Sequence, residues 1–504
     1  MLGDALARYP EREAIVVDDL RIGFGQLSDL VDNTAKGMMA LGLLPGDRVA
    51  LLLGNCWEFV VSFIACVRLG LICAPIGTRY KAKEIEYLLN DCGAKLLIFA
   101  ADLAVNLPPP EVVPKLLHRY AVGGPVQNAA PFSQLQNSEG SYLRHDSHEE
   151  DPVLILYTSG TAGRPKGAVL THLGVIHSVL TFIRCFGLNK EDRSIVSVPL
   201  AHVTGLVGAL LPAIAVGGAA ILMRAAYKTT EFLELVSRER VTFVIAVPTI
   251  YTLCVNDPNF DCYDLSNWRA GCFGGAPMPE ATVKMLAEKL PRLALSNSYG
   301  ATETTAPVAI MPAGENMKRL DSVGQIAPYD EVIIVDPDGK PVPPGAHGEL
   351  WIRGPNVVPG YWNNPDADVA SFIDGYWRSG DIGSVDELGY VRIFDRIKDM
   401  INRAGLKVYC AEVENVLNGH RDVLECAVLG RPDPVLGERV HAFVVPKPGT
   451  RIATDDVRRY CADLIADYKV PETVEILNDA LPRNANGKVQ KVVLRERLRT
   501  KSVS

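Results

Sequence analysis

Tyr157-Thr158-Ser159-Gly160-Thr161-Ala162-Gly163-Arg164-Pro165-Lys166-Gly167 follows directly on the uncharged run Val153 to Leu156. A short apolar run cut off by hydroxyls, glycines and two cations reads as a buried strand emptying into an anion-binding loop. The glycines let backbone N–H groups converge on a phosphate, Thr158, Ser159 and Thr161 add neutral donors, and Lys166 adds charge. The spacing is not that of a Walker A loop, because no Gly-Lys-Ser/Thr closes a four-residue gap after Gly160. Taken alone, the segment fits an ordinary strand-to-loop turn with solvated Arg164 and Lys166 equally well.

Outward from this loop, apolar runs alternate with helical patterns. Val49 to Leu53, Ile72 to Pro75 and Lys95 to Phe99 read as strands, with an amphipathic helix from Trp57 to Leu69 and another from Ala82 to Asn90. This βαβ rhythm predicts a mainly parallel sheet covered by helices. Residues 104–150 turn rich in Pro, Asn, Ser and Gly and read as an irregular surface excursion. The rhythm resumes at Val153 to Tyr157, Ser194 to Val198, Ala219 to Met223 and Thr242 to Val247. From Asp321 to Arg392, short strands separated by Asp338-Gly339 and Pro344-Gly345 predict an antiparallel β subdomain. After Asp395 a fresh α+β pattern begins, with a helix at Ala411 to Leu417, strands at Glu425 to Leu429 and Val440 to Val445, and a helix at Thr454 to Ala466. The fold class is therefore α/β: a large N-terminal domain over 1–395, a hinge at 396–398, and a small mobile α+β domain over 399–504.

Composition narrows the function classes. A chain of 504 residues exceeds one hydrophobic core. Its net charge of -8 argues against nucleic acid as a partner. The 11 cysteines form no CxxC pair, and no secretory signal opens the chain, so reduced thiols in the cytoplasm fit best. His145 and His148, beside Asp146, Glu149 and Glu150, sit among loop-forming residues and read as a solvated loop rather than a metal cluster. Val203 to Met223 carries no charge, but Gly205, Gly208, Pro212 and Gly217-Gly218 interrupt it. It reads as a buried helix and strand, not a stable membrane insertion.

Three segments give the loop its context. Phe273-Gly274-Gly275-Ala276-Pro277 has the small residues that let a flat ring lie against backbone. Tyr299-Gly300-Ala301-Thr302-Glu303 offers an aromatic face, a hydroxyl and a carboxylate, the groups that a base, a phosphate and Mg²⁺ require. Tyr376-Trp377-Arg378-Ser379-Gly380-Asp381 places a carboxylate after a glycine, suited to accepting hydrogen bonds from two ribose hydroxyls. In this order, over nearly the whole chain, these motifs resemble the adenylate-forming superfamily of acyl-CoA synthetases, carrier-loading adenylation domains and luciferases.

The resemblance implies that Thr158, Ser159, Gly160, Thr161 and Lys166 hold the phosphates of ATP, and that Gly274, Gly275, Ala276, Pro277, Tyr299 and Gly300 hold adenine. It assigns Thr302 to phosphate, Glu303 to Mg²⁺, and Asp381 and Arg396 to the nucleotide. Within Asp395-Arg396-Ile397-Lys398-Asp399, Lys398 becomes the pivot between two catalytic orientations. Lys488, in Pro482-Arg483-Asn484-Ala485-Asn486-Gly487-Lys488, becomes the lysine that serves adenylation. Ala404, Gly405 and Lys407 correspond to the face that meets the pantetheine of CoA, where many members have Gly-Gly; one methyl is expected to narrow that channel slightly. His202 occupies the family's gating position, and His202, Val203, Gly205, Val247, Gly275, Gly300 and Ala301 line the acyl pocket.

That pocket set is small and apolar, with no cation for a second carboxylate, which predicts a monocarboxylic substrate: medium-chain, alicyclic or aromatic. The expected activity is an ATP-, Mg²⁺- and CoA-dependent acid ligase. The alternatives are an enzyme loading a carrier protein and a silent nucleotide-binding regulator, the latter disfavoured because Lys166, Glu303 and Lys488 are all present. A homodimer is compatible with the sequence.

Overall fold

Leu96–Ala100 is apolar throughout and buried except at its last residue, as a strand must be when helices cover both faces of a parallel sheet. In the computed structural model, which describes residues 2–137, 140–158, 164–224, 226–483 and 489–501, it lies inside a seven-stranded sheet. The order is Ala130–Pro131, His118–Val122, Leu96–Ala100, Arg48–Leu52, Ile72–Pro75, Pro152–Thr158 and Lys166–Thr171. Every pairing is parallel except the last, where the chain turns back on itself in a hairpin.

Residues 104–150 depart from the expectation of a purely irregular excursion, since His118–Val122 and Ala130–Pro131 extend this sheet. The first of these mixes His118 and Arg119 with half-buried neighbours, so its hydrophobic signal is weak. The Trp57–Leu69 helix also differs from expectation. It is buried continuously from Phe59 to Cys66, because its core cluster joins side chains from two sheets and leaves it no solvent face. Gly70 ends it in the left-handed conformation, and a Cβ there would lie 2.3 Å from the His145 ring. His145 is thus packing against the helix end, and its backbone N–H donates to the Arg68 carbonyl. No metal-binding His/Cys/Asp/Glu cluster occurs among the described residues.

The second sheet has 14 strands. Its parallel half runs through Ala294–Ala301, Ala270–Gly274, Phe243–Ala246, Arg193–Val196, Ala219–Leu222 and Glu13–Val17. The antiparallel strands expected as a subdomain continue this same sheet from Ala294–Ala301 through Ala306–Ile310, Gly324–Ile326, Tyr390–Arg396, Tyr376–Val385, Gly348–Arg353 and Glu331–Val335. A third sheet of five strands, among them Val423–Asp433 and Gly437–Pro446, forms the small C-terminal domain with the helices Cys410–Asn418, Thr454–Ala462 and Lys491–Lys501. The Thr454 helix stops four residues short of the expected end, at Ala462. Among the described residues, no helix is long and apolar enough to cross a membrane.

One acid in the antiparallel region is held in its neutral form. Asn356 donates from Nδ2 both to the Pro307 carbonyl and to Asp330 Oδ2, each at 3.1 Å. Burial pushes the Asp330 carboxyl up to about 8, against a smaller opposing effect of the Asn356 amide. The folded protein therefore keeps a proton that the unfolded chain releases near the ordinary value of 3.8. This contribution to stability is complete below that value and is lost as pH rises to about 8. Asp330→Asn removes the titration, so urea unfolding should show the variant gaining on the wild type between pH 4 and pH 8; a gap that stays constant with pH would exclude a proton on Asp330.

Candidate active site

The two ends of the expected phosphate loop lie on paired antiparallel strands. Thr158 ends the outgoing strand and pairs with Lys166, the first residue of the return strand, so the two side chains the sequence singled out are cross-strand neighbours. Lys166 is thus fixed on a strand rather than carried by the loop. Ser159, Gly160 and Thr161 lie outside the described residues, as does Lys488. The hairpin is anchored from the Ala82–Cys92 helix: the Tyr87 hydroxyl donates to the Pro165 carbonyl at 3.1 Å, and the Tyr157 hydroxyl donates to Asp91 Oδ2 at 2.6 Å.

A distant segment closes against this hairpin. Trp362 N donates to the Gly167 carbonyl at 2.7 Å, and Val169 N to the Gly360 carbonyl at 3.1 Å. This brings Tyr361 beneath Lys166, whose Nζ lies 4.9 Å from the ring centroid, while the Tyr361 hydroxyl donates to Glu303 Oε1 at 2.9 Å. Tyr361 was missed by the sequence reading. Its signal was the aromatic pair in Gly360-Tyr361-Trp362-Asn363-Asn364-Pro365, where turn-forming residues surround side chains too large for an ordinary turn.

Tyr299 and Asp381 meet across the second sheet. The Tyr299 hydroxyl donates to Asp381 Oδ2 at 2.6 Å, and Arg396 Nε stands 3.2 Å from Asp381 Oδ1. Burial, reinforced by the Asp381 charge, raises the Tyr299 phenol well above its usual range, so it remains a donor. Asp381 is only 6% exposed yet carries two partners, leaving lone pairs for further donors.

The glycines divide into two groups. A Cβ on Gly274 would lie 2.4 Å from the Ser298 carbonyl oxygen, and one on Gly300 would lie 2.0 Å from that of Ala306. Both are small because neighbouring backbone crowds them. Gly275 is different: its φ is +77° and nothing lies within 4 Å of a Cβ there. Together with exposed Ala276 and Pro277, it offers open backbone at the carboxyl end of a parallel strand, where α/β sheets bind ligands. Thr302 and Glu303 follow in a short 3₁₀ turn, closed by Thr304, which accepts from Ala301 N at 2.9 Å.

His202 and Val203 lead into a π-helix, Thr204–Leu210. Pro212 lacks the N–H that a regular helix requires, which favours the wider turn here. Gly205 is needed in it, because a Cβ would lie 2.3 Å from the Pro199 carbonyl oxygen. Val247 caps the Pro248–Val255 helix.

In the segment expected to be a hinge, Ile397 N donates to the Gly380 carbonyl at 2.9 Å, joining it to the turn before Asp381. Partial burial, and then the Arg396 charge, lower the Lys398 ammonium. Asp399 pairs with Arg495, which also donates to the Lys398 carbonyl at 3.2 Å. The Tyr409 ring lies 5.5 Å from that of Phe394. Ala404 and Gly405 form the turn of a hairpin, with φ of +52° and +88°. Alanine at 404 is held in the left-handed region, which costs about 1 kcal/mol relative to glycine, a backbone effect separate from any narrowing of the expected channel. Both residues and Lys407 are exposed.

The chain as a whole is similar to known proteins. The sequence profile described as AMP-binding enzyme matches residues 2–362, and that of the AMP-binding enzyme C-terminal domain matches 412–488. A feruloyl-CoA synthase from Amycolatopsis sp is 35% identical over 97% of this chain and 96% of its own length. A long-chain-fatty-acid–CoA ligase from Mycobacterium tuberculosis is 33% identical over 95% and 93% of the two chains. The solved anthranilate CoA ligase AuaEII, in complex with anthranoyl-AMP, superposes with a TM-score of 0.93 at 28% identity, covering 100% of this chain and 98% of its own. The chain belongs to the AMP-binding, adenylate-forming enzymes, and within them to the AMP-forming acid–CoA ligases, which work with ATP, Mg²⁺ and CoA.

Proposed function

We propose that the chain activates a monocarboxylic acid with an apolar tail, medium-chain fatty, alicyclic or aromatic. The acid forms acyl-AMP with release of pyrophosphate, and the acyl group then passes to CoA with release of AMP. What supports the substrate class is the residue types at the positions proposed to line the acyl pocket: Val203, Gly205, Val247 and Ala301 bring no cation, and a second carboxylate buried against them would find no partner among them.

In this reading Thr158 and Lys166 hold the phosphates, open backbone at Gly275 to Pro277 and the Tyr299 face take the adenine, and Asp381 accepts the ribose hydroxyls. Glu303 fits a hard cation, because it is an oxygen donor with one oxygen bonded by Tyr361 and among the described residues no partner at Oε2. When bound there, Mg²⁺ supplies positive charge against the phosphates. Lys166 adds a fixed cation on the strand, and Lys488 adds one from the C-terminal domain where charge develops in the adenylation step. Rotation about Lys398 then withdraws Lys488 and presents the Ala404, Gly405 and Lys407 face to the thiol.

A panel of acids tests this, read as ATP- and CoA-dependent AMP release. Medium-chain, alicyclic or aryl acids should exceed malonate by at least about 100-fold, the scale of an unpaired buried charge. Equal or better turnover of malonate would overturn the substrate class. Acyl transfer to a phosphopantetheinylated carrier protein, with none to CoA, would overturn the acceptor.

A further inference from the structure

Lys166 and Glu303 carry opposite charges and both contact Tyr361, yet no ion pair joins them among the described residues. Each is engaged by a different part of the same side chain, the ring face of Tyr361 for the ammonium and its hydroxyl for the carboxylate. A direct pair would cancel both charges and occupy the Glu303 oxygens that a cation needs. An aromatic face attracts an ammonium without neutralising it. A phenol that donates one hydrogen bond fixes the rotation of a carboxylate while leaving its second oxygen unoccupied.

The ring is itself immobilised. Tyr361 is 7% exposed, its neighbour Ala168 forms a backbone bridge with it, and its N–H donates to Asp368 Oδ1 at 2.7 Å. The Phe372 ring packs at 5.8 Å between centroids. At Gly360, directly before it, a Cβ would lie 2.8 Å from Asp368 Oδ1 and would displace the carboxylate that holds the Tyr361 N–H.

We propose that Tyr361 is a positioning residue that keeps the phosphate-facing ammonium of Lys166 and the metal-facing carboxylate of Glu303 apart and in fixed relation. This rests on the roles proposed above for Lys166 and Glu303. It makes separate demands on the two halves of the side chain. The hydroxyl orders the cation site, and the ring keeps Lys166 available to phosphate.

Tyr361→Phe retains the ring and removes the hydroxyl. Binding of Mn²⁺ to the protein with a non-hydrolysable ATP analogue, followed by electron paramagnetic resonance, should weaken about 10-fold, the usual scale for loss of a group that orients a metal ligand. Calorimetric binding of the same analogue without metal should change less than about twofold, since the ring and its hold on Lys166 remain. Tyr361→Leu removes both parts, and both affinities should fall. Glu303→Gln separates the proposal from the reading beneath it. If Glu303→Gln leaves Mn²⁺ binding intact, the metal role of Glu303 fails and the proposal falls with it. If Glu303→Gln weakens Mn²⁺ binding but Tyr361→Phe does not, the positioning role alone is overturned. A Tyr361→Phe protein that loses metal-free and metal-dependent binding equally, with a lowered Tm, would show a structural residue and would also overturn it.

Discussion

Lys488→Ala is expected to cost about 10³-fold in acyl-adenylate formation, the scale set by removing one charge-stabilising group from a developing anion. Attack of a carboxylate on the α-phosphate brings anions together, and a cation on a flexible stem from the second domain relieves this only during that step. Thioester formation from synthetic acyl-AMP and CoA should stay near the wild-type rate, because the proposed rotation about Lys398 has by then moved Lys488 away. Pyrophosphate exchange measures the first half-reaction and thioester release the second. Equal losses in both would exclude this role.

The second large effect is expected at Asp381. A carboxylate offers about four lone-pair directions, of which the Tyr299 hydroxyl and Arg396 use two. Two remain for the ribose hydroxyls, and hydrogen bonds to a charged acceptor contribute roughly 1.5–3 kcal/mol each. Asp381→Ala should therefore lower kcat/KM for ATP by at least about 100-fold. The telling comparison is with 2′-deoxy-ATP. The wild type should discriminate against it, whereas the variant should treat the two nucleotides nearly alike. Full discrimination retained by the variant would place the ribose elsewhere. A lowered Tm is expected as well, because the buried Tyr299 hydroxyl and Arg396 lose a shared partner.

Much of the scaffold was legible from apolar runs. Trp57–Leu69 and Ile72–Pro75 begin and end where periodicity and the flanking glycine and proline put them. Where burial is two-sided, periodicity gives less, and the Trp57 helix looked amphipathic because a few polar residues interrupt a segment with no exposed face. His118–Val122 was hidden for the opposite reason, since an edge-region strand can be built from half-exposed residues whose only strong commitment is backbone hydrogen bonding. In the candidate site, the motif residues were legible as chemistry but not as neighbours. Nothing in the spacing of Lys166, Glu303 and Tyr361 shows that one ring touches the other two, because that contact depends on a bridge between Ala168 and Tyr361 nearly 200 residues apart. Gly274 and Gly300 were legible as small but not as crowded. Only the backbone distances show that they serve strand packing while Gly275 is left open.

The single 14-stranded sheet limits the freedom of the proposed nucleotide clamp. Gly274, Tyr299, Asp381 and Arg396 all belong to strands of one hydrogen-bonded lattice, although more than a hundred residues separate the first from the last. Base and sugar contacts therefore share one rigid frame of reference, and no domain rotation can shift one against the other. In the proposed turn about Lys398, the residues brought to the reacting phosphate would change while the proposed nucleotide ledge, built into one sheet, would stay still.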